Sequence, residues 1–175
     1  MTRPARGPLV RTLLVFPLLT ATGGFAPSAG AAPGPDLDPR LNLFVRAQVR
    51  RAAERLESGP CALVLGDFLD PDTGRPLSDT LAASSRTAAS YLGELTFRAG
   101  PADGPCRDAS VAAYTSPGSH AVYVCQDRFR RFQAGKEQNL PVTILIHETL
   151  HTLGLGENPP TSEEITERVE ARCGR

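Results

Sequence analysis

The sequence contains no apolar run long enough to cross a membrane. Its N-terminal apolar segment, residues 13–19, is much shorter than the roughly 20 apolar residues that a spanning helix needs. An excess of positive charge is absent as well, because 19 Lys and Arg residues are balanced by 19 Asp and Glu residues. We therefore expect no membrane span, and no nucleic acid as a partner, since nucleic-acid binding usually requires a basic surface.

Cys-x-x-Cys pairs, a common sign of a cysteine-ligated metal, are also absent. The four cysteines are spread along the chain, and an even number in an exported protein is typical of disulfide bonds. From chain order alone we expect Cys61 to pair with Cys106 and Cys125 to pair with Cys173. The second bond would tie the end of the chain to a strand predicted at residues 121–125.

The start of the chain has the features of a signal peptide. Arg3, Arg6 and Arg11 precede or flank the apolar segment, and residues 29–31 match an A-x-A cleavage site. Cleavage would remove three basic residues and no acidic ones, so we expect a slightly acidic, secreted or periplasmic protein. The expected organisation is a signal peptide at 1–31, a linker at 32–39 and a single domain at 40–175.

Hydrophobic spacing in the domain predicts a mixture of helices and short strands. Apolar residues recur at helical spacing after Asp38-Pro39, whereas residues 121–125 are rich in β-branched and aromatic side chains. Helices are predicted at about 38–56, 78–92, 139–153 and 162–172, with a short helix or turn at 129–132, and extended segments at 61–66, 94–98, 110–114 and 121–125.

The segment 142–154 contains the motif His147-Glu148-x-x-His151 within an apolar helical pattern. On a helix, residues four apart project from the same face, so both imidazoles can reach one metal ion. Glu148 follows the first histidine, which places its carboxylate beside the metal as a general base for a bound water. The surrounding apolar residues predict a buried helix, in which histidines without a partner or a metal are costly. The motif therefore predicts a zinc site.

A catalytic zinc ion usually has three protein ligands and one open position, so a third ligand is needed. Glu157 lies three residues beyond Gly154, whose turn can bring the chain back beneath the metal. Glu163 and Glu164 are alternatives at the start of the last helix, although acidic residues in a first helical turn also stabilise the helix dipole. His120 is a further candidate. We favour Glu157.

The extended motif H-E-x-x-H-x-x-G-x-x-E resembles that of the zincin metallopeptidases over residues 142–157. The resemblance implies an α+β fold in which a small twisted sheet packs on helices, including the motif helix and a short C-terminal helix. It also implies His147 and His151 as zinc ligands, Glu148 as the base, and a peptide or protein substrate. The chain lacks the methionine turn of metzincins, since Met1 is its only methionine. It also lacks the longer spacing to the last ligand that gluzincins have.

The expected function is hydrolysis of peptide bonds by an exported zinc-dependent enzyme. The transition-state oxyanion would need a second electrophile, for which the candidates are Tyr114, Tyr123 and Arg168. Two alternatives stay open: a non-catalytic, disulfide-stabilised secreted module, and a zinc hydrolase of non-peptide amides. A purely structural zinc site would need four closed ligands, so His120 and a cysteine would have to approach the motif histidines.

Overall fold

The computed structural model of the protein describes residues 36–135 and 139–174. The expected signal peptide and the first part of the linker lie outside these residues. The described part of the chain contains six α-helices and three short strands. The helices are α1 (Pro39–Leu56), α2 (Leu77–Ala83), α3 (Ala88–Glu94), α4 (Gln126–Ala134), α5 (Leu140–Thr152) and α6 (Ser162–Cys173), and the strands are β1 (Thr96–Ala99), β2 (Ala113–Tyr114) and β3 (Ala121–Val124).

Helix α1 begins where the sequence predicts. The Asp38 side chain accepts hydrogen bonds from the backbone N–H groups of Arg40 and Leu41, at 3.0 and 3.2 Å. Pro39 occupies the first helical position, where its missing N–H costs nothing. The buried face of α1 packs against α3 and α5, so α1 forms one side of the core.

The strands of the described residues form a small mixed sheet in the order β1-β3-β2. Strand β3 pairs in parallel with β1 and antiparallel with β2, which leaves β2 at one edge. Val122 and Val124 are buried on the face that packs towards the helices, whereas Tyr123 projects from the opposite face. There its ring stacks on Tyr114, with centroids 5.2 Å apart. The fold is α+β, as expected.

Two predictions of local structure are wrong. Residues 61–66 belong to a 3₁₀ helix, Gly59–Asp67, and do not form a strand. A short apolar run does not distinguish a buried strand from a buried helical segment, which explains the error. The single helix predicted at 78–92 is two helices, because the chain turns at Ser85 with a φ of 56° and Thr87 then caps α3.

The predicted disulfide pairing is also wrong. The bonds join Cys61 to Cys173 and Cys106 to Cys125. Chain order alone does not show that α6 ends against the 3₁₀ helix, where the Cα atoms of Cys61 and Cys173 are 4.6 Å apart. The second bond links the loop after β1 to the residue that follows β3. Two disulfide bonds are compatible with an exported protein.

Helix α6 is held at its C-terminal end. Arg172 donates two hydrogen bonds to the Asp67 carboxylate, both of 2.7 Å. Arg55 donates one hydrogen bond to the Cys173 carbonyl at 2.6 Å and another to Asn139 Oδ1 at 2.7 Å. The end of α6 therefore lies beside the start of α5. Because the two helices also pack against each other, α6 runs antiparallel to α5.

Helix α5 lies at the centre of the domain. Eleven of its 13 residues are buried, which confirms the prediction that the motif helix is covered on most sides. It contacts α1, α4 and α6 as well as strands β2 and β3. None of the helices formed by the described residues is long and apolar enough to cross a membrane.

Candidate metal centre

His147 and His151 lie one turn apart on α5, and their rings converge. The two Nε2 atoms are 3.0 Å apart, and the residues are only 7% and 5% exposed. The convergence follows from the 3.6-residue period of the helix, which places residues four apart on one face. Two imidazole nitrogens in this arrangement are placed to bind one metal ion.

The second ring nitrogen of each histidine has a polar partner. His151 Nδ1 lies 2.7 Å from the carbonyl oxygen of Leu155, and His147 Nδ1 lies 3.0 Å from Thr166 Oγ1. Because a carbonyl only accepts, neutral His151 carries its proton on Nδ1 and presents the Nε2 lone pair. Partners of this kind orient metal-binding histidines and increase their basicity. Both rings are therefore fixed in a ligand-like orientation.

The chain reverses immediately after α5 and returns to the histidines. Gly154 has a φ of 107°, a left-handed conformation that favours glycine. The reversal places Glu157 Oε1 at 3.2 Å from His151 Nε2 and 3.8 Å from His147 Nε2. Ligand atoms of these three residues all lie within 4.8 Å of one another. This His-His-Glu group can therefore hold a metal ion.

The other candidate ligands lie elsewhere. Glu164 Oε2 accepts a hydrogen bond from the Thr161 backbone N–H at 2.8 Å, so its carboxylate caps α6. Glu163 lines the adjacent cleft and is outside the His-His-Glu group. The His120 ring packs on Tyr91, with centroids 5.5 Å apart. All four cysteines lie in described segments and are paired, so the closed site with His120 and a cysteine is not formed.

Glu148 is almost fully buried, with 6% of its surface exposed, and it lines the same cleft. Its Oε2 atom has no hydrogen-bond partner among the described residues. Burial, and then the charge of Glu157, raise the pKa of Glu148 to about 8. Burial and the neighbouring His151 lower the pKa of His147 to about 4, which keeps that imidazole neutral. A dipositive ion on the His-His-Glu group would favour the ionised carboxylate, so these residues fit a bound metal.

The His-His-Glu group opens onto a cleft of about 950 Å³. One wall is formed by residues 110–115, which include the edge strand β2, and the opposite wall by α5 and the start of α6. The Gly118 N–H donates a hydrogen bond of 3.0 Å to the His151 carbonyl. This bond ties the turn between β2 and β3 to the end of α5.

Of the three candidates for oxyanion stabilisation, only Tyr114 is among the described residues that line the cleft. Its ring stacks on that of Tyr123, which is not among the described residues that line the cleft. A Cβ atom added at Gly104 would lie 3.9 Å from the Tyr114 hydroxyl, so that hydroxyl lies over the loop after β1. The Arg168 guanidinium lies 4.0 Å from the Asp67 carboxylate, on the side of α6 that faces the 3₁₀ helix.

Sequence reasoning missed Thr166 and the Leu155 carbonyl as partners of the histidines. The contact from the Leu155 carbonyl could have been predicted from the local sequence, because a glycine after the end of a helix returns the chain towards the last helical turn. The Thr166 contact has no such signal, since it depends on how α6 packs against α5. Both residues complete the orientation of the two rings.

Comparison of the chain with protein-family models, curated proteins and solved structures found no match. Function is therefore inferred from the geometry of the His-His-Glu group, from Glu148 and from the cleft.

Proposed function

We propose that the protein is a metal-dependent hydrolase whose ion is bound by His147, His151 and Glu157. More specifically, we propose an exported zinc metallopeptidase with a zincin-like fold and with Glu148 as its general base. The observation that carries this proposal is the convergence of three donor atoms within 4.8 Å, in a cleft also lined by Glu148, whose buried Oε2 has no hydrogen-bond partner among the described residues.

The donor set supports zinc in preference to other common ions. Two imidazoles and one carboxylate, with a fourth position open to the cleft, are typical of catalytic zinc sites. Calcium and magnesium prefer sites made of oxygen ligands alone. When bound, a zinc ion would polarise a water molecule and the substrate carbonyl as a Lewis acid.

The residues of the chain would supply the remaining steps. Glu148 lines the same cleft as the donor atoms, and its Oε2 has no hydrogen-bond partner among the described residues, so it would accept a proton from the attacking water and pass it to the leaving amine. Leu155 and Thr166 would keep both imidazoles oriented throughout. Strand β2 has an unpaired edge on the cleft, and a free edge can pair with an extended peptide. That edge supports a peptide substrate.

A non-catalytic zinc module is the less favoured alternative. Structural zinc sites are closed by four ligands, whereas the described residues bring together three, next to an open cleft. An amide other than a peptide would require the same chemistry, and no contact in the cleft favours it over a peptide.

The test is to measure zinc content and peptide hydrolysis for the purified mature chain and four variants. We expect about one zinc ion per chain, lost in His151→Ala and kept in His120→Ala, because His120 packs on Tyr91 away from the group. Glu148→Gln should keep zinc and lose about 10²- to 10⁴-fold in hydrolysis. Glu170→Gln, an exposed change on α6 outside the cleft, should keep both.

Three results would contradict the proposal at different points. A wild-type chain that binds no zinc after reloading would refute the metal site. Undiminished hydrolysis by Glu148→Gln would refute its role as the base. Zinc bound without cleavage of any peptide in a diverse library would refute the peptidase and leave a metal site of another function.

A further inference from the structure

The two helices that border the cleft give it different chemistry at its two ends. Helix α6 runs antiparallel to α5. Thr166 of α6 lies level with His147 of α5, and its Oγ1 atom is 3.0 Å from His147 Nδ1. Glu163 comes one turn before Thr166, so it lies about 4.5 Å further along the axis, towards the level of His151. The start of α5 lies in the opposite direction.

The end of the cleft beside the start of α5 is apolar. Leu140 and Ile144 line it from α5, and Phe132 lines it from the end of α4. All three side chains are half-buried, so each keeps apolar surface open to the cleft. Leu140 lies seven residues before His147, about 10 Å along the helix. This end therefore has room for one uncharged side chain of a substrate on that side of the metal ligands.

The other end of the cleft is acidic. Glu163 lines the cleft there, beyond the ligand Glu157, and no Lys or Arg is found among the described residues that line the cleft. A second observation points to a ligand in the same cleft: Glu148 lines it, is almost fully buried, and has an Oε2 atom with no hydrogen-bond partner among the described residues. A dipositive metal would be balanced by the charges of Glu148 and Glu157, so Glu163 would have no oppositely charged side chain among the described residues that line the cleft. A cationic group would complement it.

We propose that the cleft selects peptides with an apolar side chain on one side of the cleaved bond and a Lys or Arg side chain on the other, and that Glu163 determines the preference for the cation. The inference rests on the proposed peptidase function, which it makes more specific. Glu163 is a specificity-determining residue in this scheme and takes no part in proton transfer or metal binding.

The test uses short fluorogenic peptides with Leu at the cleavage site. They are identical except at one varied position, which carries Arg, Gln or Glu. In one series this position lies before the cleavage site, and in the other it lies after it. We expect the wild type to favour Arg over Gln by about two- to fivefold, the range for one partly exposed charge pair, through KM rather than kcat. The preference should disappear in Glu163→Gln. It should remain in Glu167→Gln, which removes the same charge from an exposed position of α6 outside the cleft.

Ionic strength adds a second readout, since the preference for Arg should shrink at about 1 M salt, where the screening length falls to about 3 Å. Equal rates for Arg, Gln and Glu peptides would overturn the inference while leaving the peptidase intact. A preference for Arg that survives in Glu163→Gln would also overturn it.

Binding measurements separate a failure of this inference from a failure of the proposed function. Fluorescence anisotropy of labelled Arg and Glu peptides would be measured with zinc-loaded Glu148→Gln, with and without Glu163→Gln. Tighter binding of the Arg peptide that depends on Glu163 would support the inference even if no peptide is hydrolysed. Equal binding of the two peptides would refute it.

Discussion

Replacement of Thr166 by Val tests whether α6 helps to build the metal centre. Valine has nearly the same shape as threonine, so packing between α6 and α5 is kept while the hydroxyl beside His147 Nδ1 is removed. The Oγ1–Nδ1 distance is 3.0 Å, and His147 is 7% exposed, so no bulk water replaces the lost partner. A buried polar group left without a partner costs about 1 to 3 kcal/mol. A cost of this size is a change of about 5- to 150-fold in an equilibrium constant, so we expect a loss of zinc affinity of about 10- to 100-fold, the range typical of residues that orient metal-binding histidines.

The affinity would be measured by competition with a chromophoric zinc chelator at fixed pH, together with the unfolding temperature of the metal-free chain. Thr166→Ser keeps the hydroxyl, and we expect it to restore most of the affinity. A zinc Kd for Thr166→Val within about twofold of wild type would refute the reasoning, because the contact would then be incidental. An equal loss in Thr166→Ser would refute it too, since packing rather than the hydrogen bond would be responsible.

Three further predictions concern the third ligand, a disulfide and an ion pair. Glu157→Ala should lose zinc binding by the chelator assay, and a variant that still binds one ion tightly would show that the third ligand is another residue. Replacing Cys61 and Cys173 together by Ser should lower the free energy of unfolding by about 4 to 5 kcal/mol in urea titrations, since the bond closes a separation of 112 residues; a change below 1 kcal/mol would contradict this. The hydrogen bond from Arg172 lowers the pKa of Asp67. The ionised Asp67 carboxylate therefore stabilises the fold above its unfolded-state pKa of about 4, and this stabilisation is lost as the pH falls through the lower folded-state pKa. Asp67→Asn should therefore destabilise the protein at pH 7, by an amount that shrinks in acid, and a pH-independent difference would exclude this linkage.

Much of the metal centre is local in sequence. The spacing of His147 and His151 places them on one helical face, and the glycine at 154 allows the reversal that leads to Glu157. A helix period and a turn involve only neighbouring residues, which is why the pattern of residues 142–157 indicates which side chains converge. The capping of α1 by Asp38 is predictable for the same reason.

The strand and disulfide errors arose where the structure depends on distant contacts. Residues 61–66 were predicted as a strand, and they form a 3₁₀ helix packed against α1 and α6. The cysteine pairing followed chain order in the prediction, whereas the fold brings Cys61 to Cys173 across 112 residues. Secondary-structure propensity is a weak guide for a short apolar run, which can form either a buried strand or a buried helical segment. The packing of other elements decides between the two.

The sequence by itself determined the motif helix, its buried character, the turn after it and the pair of histidines, and it favoured Glu157 over Glu163, Glu164 and His120 as their partner. The tertiary structure groups Glu157 with the two histidines. Only the tertiary structure decided that α6 runs antiparallel to α5, which brings Thr166 to His147 and Glu163 to the cleft. It also decided that β2 is an edge strand beside the cleft and that, of Tyr114 and Tyr123, only Tyr114 lines the cleft. The physical reason is range: hydrogen bonds within a helix are set by residues three or four apart, whereas the walls of a cleft are set by packing between elements far apart in the chain.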